Sequence, residues 1–90
     1  MALDDREALR RLRSALIAAA PDVTLDAGSV RWVDTPYPGV TYGLRLGGAK
    51  ALLFLPVGDI DGEGWEDRLR VRLREARAYL DHFPLSRARP

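Results

Sequence analysis

The feature that most constrains this fold is an apolar stripe in the final third of the chain. Its members recur at steps of four, four, three, four and three residues, the spacing that lines one face of an α-helix: Trp65, Leu69, Leu73, Ala76, Leu80 and Phe83. A helix with one such face must bury it against another layer of structure. We expect Asp61 to cap this helix and Pro84 to end it, with residues 84–90 forming a flexible tail.

A second stripe of helical spacing predicts a shorter helix over residues 3–20. Its apolar positions are Ala8, Leu9, Leu12, Ala15, Leu16 and Ala19. Asp4 is the predicted N-cap, with Glu7 three residues later as in a capping box. Pro21 is expected to end the helix because it disfavours helical backbone in the residue before it.

The segment between the two helices has the pattern of an antiparallel sheet. Apolar and polar residues alternate over residues 23–27 and 40–46, and residues 30–33 form a third short strand candidate after the predicted turn at Gly28 and Ser29. A tight hairpin turn is predicted at Gly47 and Gly48. Residues 51–57 are apolar on both faces, which predicts a strand in a central position of the sheet or with its second face covered.

These elements predict an α+β fold, with a helix, a three- or four-stranded antiparallel sheet and a helix, both helices packed on one face of the sheet. A length of 90 residues with 47% hydrophobic and 30% charged residues is typical of one globular domain, here residues 1–90. Packing both helices on one face leaves the other face open. Leu52 and Phe54, or Trp32, would then face water unless another molecule covers them.

Composition also limits cellular setting and chemistry. The chain has no cysteine, which excludes disulfides and thiolate metal sites, and its charged start and short apolar runs match neither a secretory signal nor a membrane span. We therefore expect a cytoplasmic protein without membrane contact. Its basic residues are arginines except for Lys50, a bias that heat adaptation or genome composition would each produce.

No pattern predicts an enzyme, a cofactor or a metal site. The acidic segment 59–63 lacks the ligand spacing of a calcium loop and is better explained by charge complementarity with a helix N-terminus. His82 and Asp81 are adjacent on a helix, so their side chains diverge by about 100° and cannot easily form a catalytic pair. The serines have no nucleophile-elbow context.

A nucleic-acid interface is the alternative function. Arg70, Arg74 and Arg77 fall on one flank of the last helix, where guanidinium groups could follow a phosphate backbone. The element order is similar to that of double-stranded-RNA-binding domains, by topology alone. Acidic residues lie three or four positions from many of these arginines, and the net charge is only +1, so we do not favour this function.

The sequence favours a small protein-interaction domain that forms a homodimer or binds another protein. The predicted interface residues are Trp32, Leu52 and Phe54 on the sheet, together with Tyr37. Tyr37 lies between two prolines, which would present it as a rigid aromatic anchor unless it folds back onto the domain. The sequence leaves open whether the bond between Tyr37 and Pro38 is cis.

Overall fold

The computed structural model describes residues 4–87, with side chains for residues 4–82. Two helices, α1 (Asp5–Ala19) and α2 (Trp65–Arg87), flank three strands in the chain, β1 (Thr24–Val33), β2 (Gly39–Leu46) and β3 (Ala49–Pro56). A short 3₁₀ turn, Val57–Asp59, follows β3. The strands form one antiparallel sheet in the order β1-β2-β3, so the predicted α+β fold is confirmed in its three-stranded form.

The first helix begins as the sequence predicts. The Asp4 carboxylate accepts a hydrogen bond of 2.7 Å from the main-chain N–H of Glu7, which satisfies one free donor of the first turn. The second helix differs at both ends from its prediction. Asp61 does not cap it, because that carboxylate accepts from the Gly62 N–H at 2.9 Å and from Arg11 at 3.0 Å.

The helical backbone of α2 continues past Pro84 to Arg87, so the predicted end at Pro84 is wrong. Proline lacks one main-chain N–H donor, but the neighbouring turns of the helix keep their main-chain hydrogen bonds. The rest of the predicted tail, residues 88–90, and the side chain of Phe83 lie outside the described residues.

The predicted turn at Gly28 and Ser29 is a β-bulge inside one long strand. Between Asp26 and Arg31 the register of β1 against β2 shifts. The Ser29 hydroxyl accepts from the Gly43 N–H and donates to the Asp26 carbonyl, each at 2.6 Å, and so replaces main-chain pairing that the bulge interrupts. Side-chain hydrogen bonds therefore let the strand continue through a sequence typical of a turn.

The hydrophobic core lies between the helices and one face of the sheet. The helices contribute fully or nearly fully buried side chains from both apolar stripes, and the sheet contributes alternate residues. These residues include Ala8, Leu12, Leu16, Leu69, Leu73, Leu80, Val30, Val40, Tyr42, Leu44 and Leu55. Burial raises the pKa of the Tyr42 hydroxyl to about 12, so this side chain stays neutral in the core.

Polar side chains connect the two helices at the edge of this core. The Arg11 guanidinium donates to the Glu7 carboxylate at 2.9 Å, to the Ile60 carbonyl at 2.9 Å and to Asp61 at 3.0 Å. It also lies 4.6 Å from the centre of the Trp65 ring, within the range of a cation–π contact. These contacts fix the start of α2 against α1.

Candidate functional site

The face of the sheet opposite the helices carries two large apolar side chains. We call it the open face. Val40, Tyr42 and Leu44 of β2 point into the core, so the alternate residues of the sheet point away from the helices. On β3 these alternate residues include Leu52 and Phe54, whose exposed fractions are 69% and 41%. The sequence predicted both as exposed residues of the open face, and the structure places them there, two residues apart on one strand.

The ring of Phe54 lies across the neighbouring strand at Gly39. A methyl group placed on Gly39 would approach ring atoms of Phe54 to 2.6 and 2.7 Å, and it would come closer still to the carbonyl oxygen of Leu55. Only glycine allows this close approach. The ring therefore packs against the main chain at Gly39, which explains why Phe54 is less exposed than Leu52.

The other end of the open face is polar. Arg45 of β2 and Lys50 of β3 are direct cross-strand neighbours, and within residues 4–87 neither has an ion-pair partner. They border a shallow cavity of about 620 Å³, which also contacts Asp26 and Leu52. Like charges placed opposite each other on a sheet repel. The open face is therefore basic near the hairpin turn and apolar at the far end of β3.

A smaller groove lies between β3 and α2. It has a volume of about 240 Å³ and an apolar lining that includes Leu53, Ala76 and Tyr79. Arg72 and Glu75 border it, joined by a hydrogen bond of 3.0 Å. This groove exists because β3 is an edge strand beside α2. Sequence periodicity does not predict the order of strands in a sheet, so the groove could not be identified from the sequence.

The structure separates the other two predicted interface residues from this apolar pair. Trp32 pairs with the fully buried Val40, so it lies on the face covered by the helices and packs against the core. Its indole N–H donates to Asp34 at 2.9 Å. Tyr37 lies in the loop between β1 and β2 and is 67% exposed. Leu52 and Phe54 thus form the open-face cluster without Trp32.

Two of the three arginines on the proposed nucleic-acid flank are engaged in ion pairs. Arg70 contacts Asp67 at 2.6 Å, and Arg77 donates three hydrogen bonds of 2.6 to 3.2 Å to Asp22. The guanidinium of Arg77 lowers the pKa of the Asp22 carboxyl. Arg74 has no ion pair with any described residue. The flank is therefore largely neutralised.

Over the described part of the chain, no three histidine, cysteine, aspartate or glutamate side chains come close enough together to hold a metal ion. The histidine considered for acid–base catalysis, His82, is exposed on α2. Among the helices of residues 4–87, none has the length and apolar character needed to cross a bilayer.

Comparisons with protein-family models, with curated proteins and with solved structures found no match to this chain.

Proposed function

We propose that this chain is a cytoplasmic, non-enzymatic interaction module that self-associates through β3 and the adjoining open face. The observation that carries the proposal is the pair Leu52 and Phe54, 69% and 41% exposed on one strand. Large aliphatic and aromatic side chains grouped on one surface are typical of protein interfaces. Self-association would cover them without requiring a second kind of protein.

Burial of Leu52 and Phe54 stabilises a dimer enough only if both copies contribute these two side chains to the interface. Full burial of a leucine or phenylalanine side chain contributes roughly 1.5–3 kcal/mol, and both residues are already partly covered. Two copies of Leu52 and Phe54 supply four such side chains. Association costs about 4–15 kcal/mol in lost freedom of motion, so these four need further contacts from the rest of the strand.

Molar mass measured by light scattering tests the proposal. We expect a dimer that persists at high salt, since apolar burial is not screened by ions. Leu52→Asp should convert it to a monomer, because a charged side chain would replace apolar contacts between the two copies. Ile17→Asp is the matched control, since Ile17 on α1 has the same exposed fraction of 69% and lies outside the proposed interface.

Two outcomes would contradict this function. A chain that stays monomeric at millimolar concentration would exclude self-association. Equal loss of the dimer in both aspartate variants would show that general destabilisation, rather than the open face, controls the dimer. Trp32→Asp is not a useful test, because Trp32 packs against the core.

Nucleic-acid binding through Arg70, Arg74 and Arg77 is the alternative proposal. The ion pairs of Arg70 and Arg77 weigh against it, because phosphate would have to displace Asp67 and Asp22. Titration with a fluorescent duplex tests it. Affinity that falls steeply with salt and with Arg74→Gln would support this function over self-association. We expect no binding at physiological salt.

A further inference from the structure

The outer edge of β3 presents main-chain donors that no described strand accepts. β3 is the last strand in the sheet order, paired only with β2. Just beyond it, the Val57 N–H donates to the Pro38 carbonyl at 3.0 Å, in the same register as the β2–β3 ladder. Donors in an antiparallel ladder alternate in direction. The N–H groups of Lys50, Leu52 and Phe54 therefore point outward from the sheet.

This edge has little of the protection that soluble proteins usually build into edge strands. Such protection consists of charged side chains, prolines, bulges or a covering element. β3 pairs with β2 without a bulge over all eight of its residues. The only charged residue of β3 is Lys50 and its only proline is Pro56, so these two protective residues lie at opposite ends of the strand. The central residues, Leu52 to Phe54, are apolar and carry none of this protection within the part of the chain that the structure describes.

We propose that the partner in the self-association proposed above is a second copy that adds its own β3 to this edge. The two strands would run antiparallel around a two-fold axis through Leu53, and the two sheets would become one sheet of six strands. This inference depends on the proposed function, and it specifies how the two copies meet.

The choice of axis follows from the alternation of side chains. Directly opposed residues of an antiparallel pair point to the same face. A two-fold axis that keeps one continuous sheet must therefore lie midway between the two copies of a single residue, which names the axis here. An axis at Leu53 places Leu52 opposite Phe54 of the second copy, twice, and Lys50 opposite Pro56. An axis at Leu52 would instead place the Lys50 ammonium opposite the Phe54 ring. The first arrangement pairs apolar residues with one another on both faces.

Charge complementarity also favours an antiparallel second copy. The start of β3 is basic, with Lys50 beside Arg45, and the segment that follows β3 carries Glu63, which has no ion-pair partner within residues 4–82. Asp59 and Asp61 of the same segment are already paired with Arg72 and Arg11. Antiparallel pairing turns the basic start of one strand toward the segment of the other that holds Glu63. Opposite charges at the rim of an interface favour the correct orientation.

The groove between β3 and α2 gives the added strand a place for its side chains. In the proposed register, Leu53 of the second copy lies opposite Leu53 on the face that carries the groove. The groove is lined by Leu53, Ala76 and Tyr79, which matches an aliphatic side chain.

Amide hydrogen exchange combined with light scattering tests the pairing. In the dimer, the Leu52 and Phe54 amides should exchange at least about tenfold more slowly than in the diluted monomer, because each would become hydrogen-bonded. The exposed loop residue Tyr37 serves as the reference and should not change. A dimer without this protection would overturn edge pairing while leaving self-association intact. A monomer at all concentrations would overturn both.

Disulfide trapping tests the register. The natural chain has no cysteine, so any disulfide must join the introduced cysteines. Opposed residues have Cα atoms about 5.5 Å apart, within disulfide reach, whereas diagonal neighbours are about 7–8 Å apart. A mixture of Leu52→Cys and Phe54→Cys chains should form a mixed disulfide dimer, and Leu52→Cys alone should not. The reverse result would move the axis to Leu52 and refute the proposed register.

Discussion

Replacing Gly39 by alanine should destabilise the fold strongly, because the added methyl group meets main chain as well as a movable side chain. Its closest approach is to the carbonyl oxygen of Leu55, and ring atoms of Phe54 lie at 2.6 and 2.7 Å. The ring could rotate away, but the carbonyl belongs to the β2–β3 ladder. Overpacking of this kind costs typically about 1–3 kcal/mol.

The assay is thermal unfolding followed by circular dichroism. For a domain of this size, 1 kcal/mol corresponds to a Tm change of roughly 4–8 °C, so a loss of about 2 kcal/mol lowers Tm by roughly 8–16 °C. Gly58→Ala is the control, since a methyl group there meets no atom within 4 Å and should leave Tm nearly unchanged.

A second variant separates the two contacts. Phe54→Ala removes the ring but leaves the Leu55 carbonyl in place, so adding it to Gly39→Ala should recover only part of the loss. Full recovery would show that the ring, rather than the main chain, requires glycine. An unchanged Tm in Gly39→Ala would refute the close packing of β2 against β3 at this position.

Three further predictions concern stability. Ser29→Ala should cost about 1–2 kcal/mol in urea unfolding, because the Gly43 N–H loses its acceptor, while Ser14→Ala on the exposed face of α1 should cost nothing; equal effects would contradict the role of the hydroxyl at the bulge. Glu7 has a pKa lowered from 4.5 to about 2, chiefly by hydrogen bonds from two arginines of α1, so its stabilising effect is complete above pH 4.5 and is lost as the pH falls toward 2. Glu7→Gln should therefore reduce the loss of Tm over that pH interval, and an identical acid profile would contradict this assignment. Leu73→Ala, at a fully buried position, should cost about 2–5 kcal/mol, and a cost under 1 kcal/mol would show that α2 is not part of the core.

The helices could be predicted from sequence because their apolar spacing is strong and local. The N-cap role of Asp4 and the burial of Leu69 and Leu73 both follow directly from that pattern. The helix end after Pro84 was not predictable by the same rule, because a proline weakens a helix by one hydrogen bond and surrounding turns decide whether it continues.

The sheet was predicted less completely because its irregular part depends on contacts between strands. Gly28 and Ser29 are typical of a turn, and only the hydrogen bonds of Ser29 to Gly43 and Asp26 show that they form a bulge. From Asp26 to Arg31 strand β1 advances five positions while β2 advances two, and this odd difference of three changes which face the following side chains occupy. That change explains why the face of Trp32 could not be predicted from alternation, whereas Leu52 and Phe54 on the regular strand β3 could.

Ion pairs between distant segments lay beyond sequence reasoning. Helical spacing predicts that the arginines of α2 pair with acidic neighbours on the same helix, and Arg72 does so with Glu75. Arg77 instead binds Asp22, 55 positions away, and Arg72 also binds Asp59. Such partners depend on how α1, β3 and α2 pack together, and spacing within one helix does not reveal them.

The order β1-β2-β3 in both sequence and space has a kinetic consequence. Each strand pairs with the next one along the chain, so short loop closures are enough to assemble the whole sheet, a topology that favours rapid folding. During synthesis the sheet emerges before α2, whose leucines cover its inner face. Until α2 is complete, the nascent chain exposes apolar residues on both faces of the sheet, and this interval is when it is most vulnerable to aggregation.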